Sequence, residues 1–287
     1  MYNEDSARKY GWKPQWFGVD GFGKILELAI IDFQKEHGLE EDGLVGPSTY
    51  RRIFLAREEE ISQWEEEEIQ DGKKCIVYNG NLFSIEWERV VLWDEEKGYK
   101  AKNYRKMIGK PREPLIFINH WDVCLSSKSC QKVLNNRGLS VHFLIDNDGT
   151  IYQTMDIQHI AFHAGRHNPI SIGVEISNAY YPKYQGWYEK NGFGERPIWK
   201  ETVRGKPLEE HLGFYDVQIE ACQALWKAVS IACDIPQRCP LEDGKMMDRL
   251  HQPSFDGEWK GFVHHFHVSN KKIDCGGFDL QKYLGRK

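Results

Sequence analysis

The run "PLIFINHWD", residues 114–122, decides the fold. Leu115, Ile116, Phe117 and Ile118 follow one another without a polar break, and the segment closes on Asn119, His120 and Trp121. A short, continuous apolar run rich in branched and aromatic side chains reads as a strand buried on both faces. A strand of that kind needs covering layers, so the segments on either side of it have to supply helices as well as further strands. Its end carries a histidine, a residue with chemistry to offer where a strand meets a loop.

The flanking sequence meets that demand. Upstream, "CIVYNG" (75–80) and "NLFSIEW" (81–87) are strand-like. Downstream, "SCQKVLNNRGL" (129–139) reads as a helix closing at Gly138, where a residue free to adopt positive φ ends the last turn. "VHFLIDNDGTIYQ" (141–153) is two β-rich runs around Asn-Asp-Gly, a hairpin. In "PISIGVEIS" (169–177) Ile170, Ile172, Val174 and Ile176 share one face, and Ser171, Gly173, Glu175 and Ser177 share the other. Glu175 therefore points away from the apolar layer. In "FYDVQIEACQALWKAVSIACDIP" (214–236) Ile219, Cys222, Trp226, Val229 and Cys233 form one helical face, with Asp216 near its start and Ile235-Pro236 ending it. The expectation is an α/β (α+β) domain over residues 75–287, with a mixed central β-sheet flanked by helices. It is interrupted by a polar, aromatic insertion over about 180–212.

Residues 1–56 read differently, as a small all-α helical module. Leu26, Ala29, Ile30 and Phe33 fall at helical spacing, Gly38 stops that helix, and Pro47, Ser48 and Thr49 start a second. The acidic stretch "REEEISQWEEEEIQDGKK", 57–74, reads as a solvated linker. With Asp20-Gly21 and Asp42-Gly43 as turns around the helix and "DGLVGPSTYRRI" after it, residues 15–56 resemble the peptidoglycan-binding module often joined to cell-wall hydrolases.

Composition narrows the classes. Hydrophobic residues make up 40% and aromatics 13%, enough for a packed core. A net charge of -5 and a pI near 6.1 argue against general nucleic-acid binding. No apolar run is long enough to span a membrane, and "MYNEDSARKYGWK" lacks the basic-then-apolar pattern of a signal peptide. The expectation is a protein made in the cytoplasm, without membrane insertion. Seven cysteines, an odd count at irregular spacing with no CxxC pair, do not make a disulfide framework or a zinc knuckle.

Chemistry concentrates in "GFVHHFHVSNKKIDCGGFDL" (261–280), where His264, His265 and His267 precede Lys272, Asp274 and Cys275. A catalytic zinc takes three protein ligands and leaves a fourth position for water, and distant segments can supply them. Here a second resemblance enters. "FINHWD", "SVHFLIDNDGTIYQ", "AFHAGRHNPISIGVEISN", "FYDVQIEA" and "HFHVSNKKIDCGGFD" occur in the order of the zinc-dependent N-acetylmuramoyl-L-alanine amidases, the family that includes phage lysozyme-type amidases and the peptidoglycan recognition proteins. The likeness covers most of residues 113–280 outside the insertion.

The resemblance implies a zinc ion held by His120, His265 and a third ligand. Both Asp274 and Cys275 are available for that place. Lys272, two residues before Asp274, favours the aspartate, and Cys275 stays the alternative. It implies Glu175 as general base and acid, and Lys272 as the cation that steadies the oxyanion. His163 would be a substrate contact or an aid to proton transfer. One branch has a tyrosine where this chain has Val141, which shifts weight to Glu175. His142 reads as a packing histidine, and His264 and His267 as neighbours of the ligands. The function implied is an endolysin-like cell-wall hydrolase acting on bacterial peptidoglycan in the periplasm or outside the cell. Its release would be helped by a holin-type protein. The alternative is a non-catalytic peptidoglycan recognition protein, which would typically lack the third ligand.

Overall fold

The computed structural model describes residues 1–61, 74–109 and 111–285, with the side chains of residues 60 and 61 excepted. Most of the stretch read as an acidic linker lies outside the described residues. Its first part does not: the helix that begins at Pro47 runs on to Ile61, past the boundary expected at residue 56.

Three helices open the chain: α1 (Tyr2–Tyr10), α2 (Lys24–Glu36) and α3 (Pro47–Ile61). Leu26 and Ile30 turn inward from α2, as its spacing predicts. After the hairpin β1 (Cys75–Tyr78) and β2 (Asn81–Ser84) come β3 (Val90–Leu92), β4 (Ile116–Trp121) and α4 (Ser127–Arg137). The expected hairpin is β5 (Phe143–Ile145) and β6 (Ile151–Gln153). Strand β7 (Ser171–Ile176), helix α5 (Asp216–Cys233) and strand β8 (Gly261–His264) complete the frame. The central sheet has the order β8-β4-β7-β5-β6-β3. It is mixed: β5 and β6 run antiparallel, and every other neighbouring pair is parallel.

Alternation along these strands sorts the core into two layers. Phe117, Ile172, Val174, Phe143, Ile145 and Phe262 face α5 and pack with Ile219, Cys222, Leu225, Trp226 and Val229. On the other face Leu144, Tyr152 and Val91 meet Cys130, Val133 and Leu134 of α4. Ser126 caps α4 by accepting from the Ser129 N–H, and Gly138, at φ 71°, closes it.

The second layer does not stop at α4. Ala7, Tyr10, Leu26, Ile30, Tyr50 and Phe54 of the opening helices, with Trp12 just after α1, belong to the same apolar cluster. Asn136 of α4 donates to the Tyr10 carbonyl (3.2 Å) and the Tyr50 hydroxyl (3.0 Å). The insertion joins in from another side. Leu55 packs with Tyr184, Trp187 and Tyr188, the Arg52 guanidinium lies 3.3 Å from the Tyr181 ring centre, and Lys183 Nζ sits 3.0 Å from His37 Nε2. Fully burying one large apolar side chain contributes about 1.5–3 kcal/mol, so a shared core of this kind holds the helical module against the sheet. It is not a bead on a tether.

Candidate active site

The parallel strands β4, β7 and β8 end at the same edge of the sheet, where open α/β sheets bind ligands. His120 near the end of β4 is the register partner of Glu175 on β7, and Leu144 on β5 is the next partner along. Register partners on neighbouring strands point to the same face, so His120 and Glu175 stand side by side on the α4 side of the sheet. On β8, His264 pairs with Asn119 and shares its opposite face, where Trp226 donates to Asn119. The next residue, His265, starts a single helical turn, His265–Val268.

This explains the crowd of histidines. His264 Nε2 lies 2.6 Å from the Phe278 carbonyl. His267 Nδ1 accepts the His264 N–H (2.9 Å), and its Nε2 donates to the Met247 carbonyl (2.7 Å). His267 at both nitrogens and His264 through Nε2 engage backbone groups that shape the segment, and burial pushes both down, His264 to about 4. His265 alone of the three reaches the front face. Its Nδ1 is 3.1 Å from Asp274 Oδ2, and His120 Nδ1 is 2.9 Å from the same oxygen. The His120 and His265 rings meet edge to face at 4.5 Å.

The donor atoms of His120, His265 and Asp274 all lie within 4.8 Å of one another, with all three residues buried. Bonds of about 2.0–2.1 Å to a tetrahedral zinc imply donor–donor edges of about 3.3 Å. The two contacts onto Asp274 Oδ2 are already near that length, so the donor set and its spacing fit the ion. Burial first, and then His265, pushes His120 down to about 4, which keeps it neutral with a lone pair to give. For Asp274, burial works against the charge, but His265 and His120 outweigh it and hold the carboxyl well below its usual range. Cys275 is elsewhere: fully buried among the α5-side residues, with its thiol pushed well up by burial.

Glu175 is half-buried, and its Oε2 is shielded from solvent with no hydrogen-bond partner. Burial, then the nearby Asp122, pushes its carboxyl well above the ordinary value, while Arg51 and Lys272 pull the other way. Arg51 comes from α3, so the opening module contributes charge to this corner. Lys272 is exposed, and its carbonyl accepts from Arg204 (2.7 Å). His163 is part-buried. Its Nδ1 is 2.9 Å from His120 Nε2 and its Nε2 is 3.1 Å from Ser171 Oγ. Both nitrogens thus have partners within the protein. His142 accepts the Gly173 N–H at Nδ1 (3.2 Å) and donates from Nε2 to the His159 carbonyl (2.9 Å).

Two groups near the site were not singled out from the sequence. Ser171 and Gly173 lie on the Glu175 face of β7, a face the alternation already marks, but nothing in the sequence says that His163 folds back onto them. A second buried cluster, Asp122, Cys124 and Cys130, also brings metal-capable atoms within 4.8 Å of one another.

Residues 110–274, more than half of the 287, match the family described as N-acetylmuramoyl-L-alanine amidase. The chain belongs to that family. Residues 8–53 match a family described as a peptidoglycan binding domain. No curated protein matches the chain. Among solved structures, it is similar to the N-acetylmuramoyl-L-alanine amidase LysC from Clostridium intestinale, at 12% identity and a TM-score of 0.40, over 69% of this chain and 95% of that one. For the endolysin of a Thermus scotoductus bacteriophage the values are 16%, 0.36, 68% and 96%. For Drosophila PGRP-LB they are 16%, 0.34, 63% and 85%. Among the described residues, no helix is long and apolar enough to cross a membrane.

Proposed function

We propose that this amidase cuts the amide between N-acetylmuramic acid and L-alanine in bacterial peptidoglycan, with a zinc ion held by His120, His265 and Asp274. The observation that carries the zinc reading is the convergence of the two Nδ1 atoms on one oxygen of Asp274, at 2.9 and 3.1 Å. A bound zinc supplies Lewis acidity, polarising an amide carbonyl and bringing the pKa of water to about 7. Cys275 is left out of the ligand set because its thiol lies in the apolar layer behind the sheet.

Glu175 is the proton carrier. Its unpartnered Oε2, on the same face as His120, has no internal donor to hold it and is free to accept a proton from water. The same low-polarity surroundings that push its carboxyl up favour keeping that proton until the leaving amine nitrogen takes it. Lys272 is exposed at the site, where its ammonium would steady negative charge developing on the carbonyl oxygen. Its influence on both His120 and Glu175 supports that placement. The opening helices, matched to a peptidoglycan binding domain and packed against α4, would hold the polymer in a fixed relation to the cut.

Purified peptidoglycan digested with zinc-loaded and with chelator-treated protein tests this reading. Mass spectrometry should find new L-alanine amino ends without new reducing sugar ends, lost on chelation. Binding of the polymer by zinc-loaded protein without any new amino ends would overturn it in favour of a recognition protein.

A further inference from the structure

We propose that His163 is a positioning residue for His120, fixing its ring and tautomer, and does not contact the substrate. The inference rests on the reading that His120, His265 and Asp274 hold zinc. A ligand histidine must keep its donor nitrogen unprotonated, and the hydrogen bond at the other nitrogen decides which one that is. His120 presents Nδ1 toward Asp274 and His265, which leaves Nε2 to carry the proton. That Nε2 lies 2.9 Å from His163 Nδ1. With His120 donating there, His163 Nδ1 is the acceptor, so its own proton resides on Nε2, 3.1 Å from Ser171 Oγ. His120, His163 and Ser171 thus form one chain of donors and acceptors in a single consistent direction.

The backbone is arranged to hold this chain. The His163 N–H donates to Asn168 Oδ1 (3.1 Å), as does the Ala164 N–H (2.7 Å), which fixes the loop that carries the ring. The ring lies over Gly173 on β7: a Cβ built there would come within 2.6 Å of its Cε1 and Nδ1. Only glycine leaves that space. The His120 and His163 rings meet edge to face at 5.2 Å, so a shift of one displaces the other. Ser171, Gly173 and Glu175 alternate along one face of β7. A single strand thus seats the orienting histidine and carries the proposed proton carrier.

The test uses the full chain with His163→Ala, His163→Asn and Ser171→Ala, and measures zinc affinity by competition with a chromophoric chelator. It also measures kcat and KM on a soluble muramoyl peptide at saturating zinc. Loss of a group that orients a ligand typically costs 10–100-fold in metal affinity, so His163→Ala should weaken zinc by roughly 10–100-fold while leaving KM unchanged. His163→Asn, whose amide oxygen can accept from His120 Nε2, should recover most of that loss. Ser171→Ala should weaken zinc in the same direction but less. Gly173→Ala, which pushes the ring off its seat without touching it chemically, is the second route if His163→Ala does not fold. Zinc affinity unchanged in His163→Ala, or in Gly173→Ala where that stands in for it, with a raised KM, overturns the inference and makes His163 a substrate contact. Parent protein that fails to bind zinc at all would instead sink the zinc reading.

Discussion

Two clusters of three metal-capable side chains begin two residues apart on the chain, at His120 and at Asp122, and they behave as opposites. In His120, His265 and Asp274 the donor atoms face one another, and each histidine contact converges on a single carboxylate oxygen. In Asp122, Cys124 and Cys130 the atoms are as close, yet the lone pairs are already committed. Asp122 Oδ1 accepts the N–H groups of Cys124 and Asn178, both at 2.9 Å, and Oδ2 accepts from Ser177 Oγ at 3.1 Å. Cys124 Sγ donates to the Asp122 carbonyl (3.5 Å), and burial holds the Cys130 thiol well above its ordinary value. A thiol must lose its proton to bind metal. Proximity alone does not fit a cluster for metal; its donors must also face one another rather than the backbone, and the second cluster instead pins the loop that follows β4.

The largest expected effect breaks the symmetry of that comparison. Asp274→Ala should abolish zinc binding and reduce kcat/KM by more than the roughly 10–100-fold expected for a residue one step removed from the metal. The paired change Cys124→Ser with Cys130→Ser should leave the zinc content at one per chain and activity within a few fold, by elemental analysis and kinetics. Two zinc ions in the parent and one in the double variant would show that the second cluster binds metal after all. Cys275→Ser separates the two candidates for the third ligand. It should keep its zinc and lower the melting temperature, since a hydroxyl left unpaired in an apolar layer costs about 1–3 kcal/mol.

Next in size is Glu175→Gln. Removing a general acid–base typically costs about 10²–10⁴ in rate, so kcat should fall by that order with zinc retained. Loss of zinc together with activity would move Glu175 from proton carrier to a support of the metal ligands.

Much of this was legible in the sequence, for a physical reason. Strand 171–176 and the long helix at 216 carry patterns of period 2 and 3.6, strand 116–121 is an unbroken apolar run, and the 143–153 hairpin is two β-rich runs around a turn, all signals that neighbouring residues alone define. Glu175 could be assigned a face because alternation is local. The docking of the opening module was not legible. It rests on Tyr10, Tyr50 and Phe54 meeting α4, and on Leu55 and Arg52 meeting an insertion more than 120 residues away. No local period encodes such a contact. His163 fell between the two cases. Its motif marked it as part of the site, but the placement of its ring depends on a missing Cβ at Gly173 and a hydroxyl at Ser171, both contributed by a different strand.

The smallest effect sharpens the comparison on the side of the second cluster. Burial pushes the Asp122 carboxyl up to about 7, against the pull of its hydrogen bonds to Asn178, Cys124 and Ser177. An acid whose folded value is raised binds its proton more tightly in the folded state. Its contribution to stability is therefore fully present below the unfolded value near 4 and is lost as pH rises toward about 7. Buried neutral histidines such as His120, His264 and His267, held below their ordinary value, tilt stability the other way, so the Asp122 slope is read from the difference between variant and parent in chelator-treated protein. Asp122→Asn mimics the protonated acid. Its Oδ1 can keep both backbone donors, and its Nδ2 can donate to Ser177 Oγ once that hydroxyl turns. The variant should exceed the parent by more at pH 8 than at pH 5, the gap widening by roughly 1–3 kcal/mol, since each tenfold change in proton affinity is worth about 1.4 kcal/mol. Asp146, also pushed up to about 7 by burial, would leave part of the slope in place. A variant less stable than the parent at both pH values would mean that the cluster needs the charge, and that Asp122 retains the unspent electron pairs denied to it above.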